Sequence, residues 1–307
     1  MTYTALSVSG LTKRYGRRVA VDRLDIELPT GVVAGFVGPN GAGKTTTMAM
    51  LLGLVRPSAG TGTVLGSSID EPAEYLHRVG AMIESPAFYP SLSGSENLRM
   101  FASVGGHDTS SIPRLLDEVG LDGRGADSYR NYSMGMKQRL GIAAALLGDP
   151  DLLILDEPSN GLDPQGVREV RALIGSLAGT GRTVLVSSHD LSELEQVCDW
   201  LVLIDTGRSL YQGPTREFLD SAAGGLMVVP QHPHQLEPLL HLLLAQGLRT
   251  QRQDDRLVVS TDNADTTDLA ASVNRAAFAA DIVLVELGAV RSTLEDRYLT
   301  LVQAGAR

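Results

Sequence analysis

Cysteine and lysine are scarce in this chain, and so are long apolar runs. One cysteine, Cys198, in 307 residues excludes an internal disulfide and any zinc site built on cysteines. Apolar stretches such as Leu140–Gly148 reach about half of the ~18 residues that a bilayer-spanning helix needs. The opening segment, MTYTALSVSGLTKRYG, lacks the apolar centre of a secretory signal. A membrane role is therefore expected only through a partner. Positive charge is also short: the formal net charge is −10, which argues against nucleic acid, whose phosphates call for a basic field. No low-complexity tract or charge block interrupts the chain, and its length suits one large domain followed by a small one.

Three lysines stand against 23 arginines, so the position of a lysine carries information. Lys44 lies in VVAGFVGPNGAGKTTTMAMLLGL, where an apolar run (Val32–Val37) meets a Gly-rich turn and then a helix-prone segment. Gly38-x-x-x-x-Gly43-Lys44-Thr45 has the spacing and the strand–loop–helix context of a phosphate-binding loop. Glycines let successive N–H groups wrap a phosphate, and the helix start adds partial positive charge. Lys44 supplies a compact cation for terminal phosphates, and the Thr45 hydroxyl suits Mg²⁺.

DPDLLILDEPSNGLDP places four apolar residues, Leu152–Leu155, before Asp156 and Glu157. The run reads as a buried parallel strand. Asp156 at its end is placed to hold Mg²⁺, while Glu157 points elsewhere and could take a proton from water. Upstream, Ser133 and Gly135 precede a helix expected over Lys137–Leu147, a second anion site of the helix-start kind. Downstream, His189 leaves a strand expected over Thr183–Ser187.

In this order the stretches resemble the nucleotide-binding domain of ATP-binding cassette (ABC) proteins, over about residues 5–220. In that register Tyr15 matches the aromatic that stacks on adenine. The segment Gly38, Pro39, Asn40, Gly41, Ala42, Gly43, Lys44, Thr45, Thr46 matches Walker A, and YSMGMKQR matches the signature. LLILDEP matches Walker B, SNGLD with Asp163 the D-loop, and His189 the switch histidine. The resemblance implies an α/β P-loop NTPase fold, a mixed sheet core with a helical subdomain at about 86–147, filling residues 1–222. It implies that ATP and Mg²⁺ bind and that ATP is hydrolysed to ADP and phosphate. Glu157, His189 and Lys44 would be catalytic; Tyr15, the Walker A residues, Ser133, Gly135 and Asp163 would contact nucleotide; Thr45, Asp156 and Glu84 would attend the metal. It further implies head-to-tail pairing of two cassettes, like or unlike, that share their ATP sites. A separate integral membrane permease and a cytoplasmic place on the inner face of the membrane complete the expectation.

Two features depart from the family pattern. Met134 and Met136 stand where the signature carries glycine and glutamine, although Ser133 and Gly135 remain as phosphate donors. Glu84, in GAMIESPAFYPSLSGSENL, stands 40 residues after Lys44, where most members carry a glutamine. Together with YSMGMKQRLGIA, that stretch resembles the bacitracin- and lantibiotic-resistance branch of exporters, where glutamate occurs there. A carboxylate is the better ligand for a hard cation. The loop Ser85–Phe101 is the expected contact with the permease.

Residues 223–307 read as a small α+β domain. Strand-like runs (Met227–Val229, Arg256–Thr261, Ile282–Glu286) alternate with helical ones (His234–Ala245, Thr267–Ala279, Ser292–Val302), and Asp254-Asp255 marks a hairpin. Strand–helix–hairpin–helix–strand is a ferredoxin-like pattern. Nothing in it carries chemistry, and packing or dimer support is its expected role. A soluble ABC protein acting on ribosomes or nucleic acid is the alternative. The single cassette, the absence of a coiled-coil insertion and the acidic charge weigh against it.

Overall fold

The computed structural model describes residues 4–84, 87–220, 225–260, 266–290 and 293–305. The chain opens as a long antiparallel hairpin, β1 (Thr4–Tyr15) and β2 (Arg18–Pro29). Its two-residue turn, Gly16–Arg17, sets Tyr15 directly opposite Arg18, and a turn that short uses the left-handed φ of 59° at Gly16. β3 (Val33–Val37) is buried at all five positions, as expected of a parallel strand covered on both faces. The Gly-rich turn follows, then α1 (Lys44–Leu51). β4 (Ala59–Val64) and β5 (Ser67–Ser68) extend the hairpin into an antiparallel sheet ordered β2-β1-β4-β5.

β6 (Val79–Met82) precedes a largely helical stretch with α2 (Gly94–Gly105), α3 (Ile112–Glu118) and α4 (Met134–Ala145). The helix expected over Lys137–Leu147 begins a turn earlier, because the Ser133 hydroxyl accepts from the Met136 N–H and caps it. β7 (Leu152–Asp156), α5 (Pro164–Ala178), β8 (Thr183–Ser188), α6 (Leu191–Glu195), β9 (Trp200–Asp205) and β10 (Arg208–Pro214) follow. A six-stranded sheet runs β10-β9-β3-β8-β7-β6, parallel except at the β10 edge. Phe36, Ile154, Leu185 and Val202 from its strands pack with Met48 of α1 and with Leu6 and Leu24 of the hairpin. The strand between phosphate loop and acids is β8, so the chain crosses over on either side of β3. Ligands of such sheets bind at the carboxyl ends of the strands, beside that reversal.

The chain divides into two compact units, Met1–Thr215 and Arg216–Arg307. Thr215 belongs with the first because its N–H and hydroxyl bond the carbonyls of Asp199 and Cys198. Most of α7 (Thr215–Asp220) lies in the second unit, where the Phe218 ring meets the Arg297 guanidinium at 5.1 Å. The division thus lies a few residues before 222/223, because Phe218 seats α7 against the last helix.

The second unit continues as β11 (Gly225–Pro230), α8 (Leu236–Ala245), β12 (Thr250–Gln253), β13 (Arg256–Ser260), α9 (Thr266–Ala279), β14 (Leu284–Val290) and α10 (Leu294–Gly305). Its sheet is antiparallel throughout and ordered β12-β13-β11-β14, the split β-α-β arrangement of ferredoxin-like domains. Leu226, Val228, Leu257 and Val259 point from one sheet face into Leu239, Leu243 and Val273 of the helices. Ser85, Pro86, Thr261 and Ser292, which fall in segments assigned above, lie outside the described residues.

Candidate active site

The loop between β3 and α1 has its shape because two of its positions admit no side chain. A Cβ on Gly38 would lie 2.5 Å from the Ile204 carbonyl oxygen. A Cβ on Gly43, whose φ is 104°, would lie 2.6 Å from that of Ala20. The Ala42 N–H turns back to the Pro39 carbonyl, and Lys44 Nζ donates to the Gly38 carbonyl at 2.6 Å. The first N–H groups of α1 have no acceptor within their own helix, so the loop closes around donors at the positive end of a helix.

The acids stand at the end of β7. Asp156 is buried and pairs in register with Ser187 of the adjacent β8. Its Oδ2 accepts from Thr45 Oγ1 at 2.7 Å and its Oδ1 from Ser187 Oγ at 2.5 Å. The same Ser187 hydroxyl accepts from the Glu157 N–H at 2.9 Å, so one side chain fixes both acids. Glu157 takes a left-handed φ of 50°, and its carboxylate swings toward the phosphate loop. Oε1 stands 3.5 Å from Lys44 Nζ and Oε2 2.7 Å from His189 Nδ1. An ionised carboxylate only accepts, so the imidazole proton of this pair sits on Nδ1.

The His189 loop is braced from below. Asp190 caps α6, accepting from the Ser192 hydroxyl and from the N–H groups of Ser192 and Glu193. The Ser192 hydrogen bond, more than any other influence, holds the Asp190 carboxyl below its ordinary range. Ser159, just after the acids, donates to Glu193 at 2.6 Å and joins that turn to the same helix.

These elements enclose a cavity of about 420 Å³. Of the residues expected from sequence, Pro39, Asn40, Gly41, Gly43, Lys44, Thr45, Thr46, Glu157 and His189 line it. Gly38 contributes the carbonyl under Lys44, Asp156 lies behind Thr45, and Ala42 is buried in the loop. Tyr15, Ser133, Gly135, Asp163 and Glu84 are not among its lining residues. Tyr15 is half exposed at the hairpin end, with Lys13 Nζ 5.1 Å from its ring centre. Ser133 caps α4, with Gly135 in its first turn, and Asp163 caps α5 by accepting from the Gly166 N–H. Arg18, Asn160 and Ser187 complete the site without having been singled out in the sequence. Arg18 and Asn160 were signalled by position, beside Tyr15 and within SNGLD. Ser187 had no sequence signal, since serines at strand ends are common.

Glu84 lies two residues past Met82, which pairs with Leu155, and Glu157 lies two residues past Leu155. The two glutamates therefore hold equivalent places beyond neighbouring parallel strands, and both are left-handed, with φ of 57° and 50°. The Glu84 side chain is exposed.

Residues 21–160 match the ABC transporter family, a span that includes the phosphate loop and both acids. The bacitracin transport ATP-binding protein BcrA of Bacillus licheniformis is 46% identical over 214 residues, 69% of this chain and 70% of the relative. The chain belongs to the ABC transporter family. A Nod factor export ATP-binding protein I from Cupriavidus metallidurans is 40% identical over 257 residues, 82% of this chain and 84% of its own length. A solved structure described as the ATP binding subunit of an ABC transporter superposes with a TM-score of 0.63 at 30% identity. It covers 71% of this chain and 92% of its own. The ABC cassette is accordingly an ATPase whose hydrolysis is coupled to transport. Among the described residues, no helix is long and apolar enough to cross a membrane.

Proposed function

We propose that this chain is the energising subunit of an exporter, hydrolysing Mg·ATP in the cavity between the phosphate loop and Glu157 while a separate membrane permease carries the cargo. The observation behind this reading is the convergence of Lys44, Thr45, Asp156, Glu157 and His189, drawn from three separate segments, on one cavity. The relatives named for bacitracin transport and Nod factor export support outward transport, and the cargo in this reading is a peptide antibiotic, bacteriocin or drug.

The residues present suit Mg²⁺. Among the described residues, no three of His, Cys, Asp or Glu are grouped as a self-sufficient metal cage. Mg²⁺ does not need one, since it is commonly held by one or two carboxylates, water and substrate phosphates. The Thr45 hydroxyl and the Asp156 carboxylate, already 2.7 Å apart, are hard oxygen donors beside the phosphate loop. Bound there, Mg²⁺ would neutralise phosphate charge, and Glu84 at the neighbouring strand end is the further carboxylate assigned to it.

In this reading Lys44 and the loop N–H groups hold the phosphates. Glu157 orients water and accepts its proton, and His189 steadies the terminal phosphate. Little covalent work falls to the protein, so catalysis rests on position and charge. Ser133, Gly135 and Asp163 lie apart from this cavity because they serve the site of a second cassette that closes head to tail. Tyr15 receives the adenine. The acidic chain docks on the cytoplasmic face of the membrane through its permease and does not bind nucleic acid.

The test is phosphate release from Mg·ATP by the purified chain, together with fractionation of cells that express it. Lys44-dependent release and recovery with a membrane permease are expected. Recovery with ribosomes, or nucleotide binding without turnover, would overturn the proposal.

A further inference from the structure

The cavity holds a second cationic side chain. Arg18 opens β2 and pairs across the two-residue turn with Tyr15, so both side chains leave the hairpin on one face. Arg18 lines the cavity, and its Nη2 stands 3.9 Å from the point at which a side chain on Gly41 would begin. Gly41 belongs to the loop whose N–H groups cradle phosphates in sites of this kind. Several arginines are engaged elsewhere: Arg78, Arg124, Arg182 and Arg208 each contact a carboxylate at 2.7 Å or less. Among the described residues, no hydrogen bond or ion pair engages the Arg18 side chain.

Lys44, by contrast, is occupied, with the Gly38 carbonyl and the Glu157 carboxylate as partners. A highly charged anion entering the cavity thus meets one cation already neutralised and one that is free. Arginine presents several N–H donors in a planar fork that matches two phosphate oxygens at once. The hairpin that carries it also fixes the distance between Tyr15 and the phosphate loop.

We infer that Arg18 is a phosphate ligand of the bound nucleotide, acting with Lys44 and bridging the hairpin to the loop over Gly41. The inference rests on the nucleotide assignment of this cavity. It adds a residue that the phosphate-loop motif does not contain, supplied by the strand pair and not by the loop.

The experiment measures ATP and ADP dissociation constants for the full chain without Mg²⁺, so that neither hydrolysis nor metal binding enters. Arg18→Ala should weaken both by roughly 10-fold or more, the scale of one lost hydrogen bond to a charged group. Arg18→Lys, which keeps a cation of similar reach, should recover part of the loss. Arg17→Ala, beside it in the turn but outside the cavity lining, should bind as wild type, which separates a specific contact from a change in surface charge. Lys44→Ala tests the cavity itself. If Lys44→Ala loses affinity while Arg18→Ala does not, or if Arg17→Ala loses as much as Arg18→Ala, the Arg18 inference fails alone. If neither Lys44→Ala nor Arg18→Ala weakens binding, the nucleotide does not sit here and the functional reading falls with it.

Discussion

Ser187 gives its proton to Asp156 and takes one from the backbone of Glu157, so two acids of different duty hang on one buried hydroxyl. Removing it with Ser187→Ala leaves the Asp156 Oδ1 and the Glu157 N–H short of a partner in a buried setting. A stability loss of about 1–3 kcal/mol is expected, the cost of buried polar groups left unpaired. The half-saturating Mg²⁺ concentration for turnover should rise as well, because Asp156 loses a restraint. Thermal denaturation and Mg²⁺ titration of phosphate release check the two parts independently.

Glu157→Gln preserves the size of the side chain and removes its basicity. ATP should still bind while hydrolysis falls by ~10²-fold or more, on the scale of a lost general base. A closed ATP-bound dimer should accumulate, visible by gel filtration. Turnover near wild type would show that another group takes the proton.

Glu84→Gln and Glu84→Ala should part company. Glutamine keeps an oxygen able to reach the metal or its water and should retain much of the ATPase activity in the assembled transporter. Alanine should shift the Mg²⁺ dependence while leaving metal-free nucleotide affinity about the same. Mg²⁺ curves superimposable on wild type for both would make Glu84 an ordinary strand-end acid, since exposed substitutions are usually nearly silent.

Asp149 offers a pH test of the cassette's own stability. Its carboxyl is held below the usual Asp value of 3.8, chiefly by its hydrogen bond from Arg182, which also pairs with Glu118 of α3. A depressed folded-state value means stability that is present above the unfolded value and lost as pH falls through the folded one. Asp149→Asn tolerates the left-handed φ of 53° at this position and cannot titrate. Urea midpoints of the two proteins should differ at pH 6 and converge as pH drops below about 4.

Deleting residues 226–307 should leave ATP binding intact, because every residue lining the cavity lies before Thr215. Equilibrium binding to the folded truncation decides it; a folded cassette unable to bind would show that the second unit completes the site.

Much of the cassette was legible because its chemistry is local in sequence. The phosphate loop needs glycines at fixed intervals before a helix, and β7 needs an unbroken apolar run before its acids; both patterns survive without any knowledge of the fold. The Ser133 cap was legible as a hydroxyl at a helix start, but its helix was placed late because Met134 to Met136 do not look like a first turn. Ser187 was beyond reach, and Arg18 was marked only by standing near Tyr15, for a different reason. Each matters through a neighbour more than 20 residues away, Asp156 across a strand pair and Gly41 across the cavity. Backbone geometry was equally hidden: no composition rule places glutamates in left-handed conformations at positions 84 and 157. In the second unit the alternation of apolar residues gave the element order, while the strand order came only from pairing.

The contact of Glu157 with Lys44 and His189 works as an interlock. One carboxylate, proposed to activate water, joins the two side chains proposed to meet the phosphates. In that reading a terminal phosphate competes with Glu157 for Lys44, so the act of loading also loosens the base. Nucleotide entry is then an exchange of anions and not the filling of an empty basic pocket. Arming of the site follows occupancy by construction, and a shorter anion that fails to reach Lys44 would leave the catch engaged.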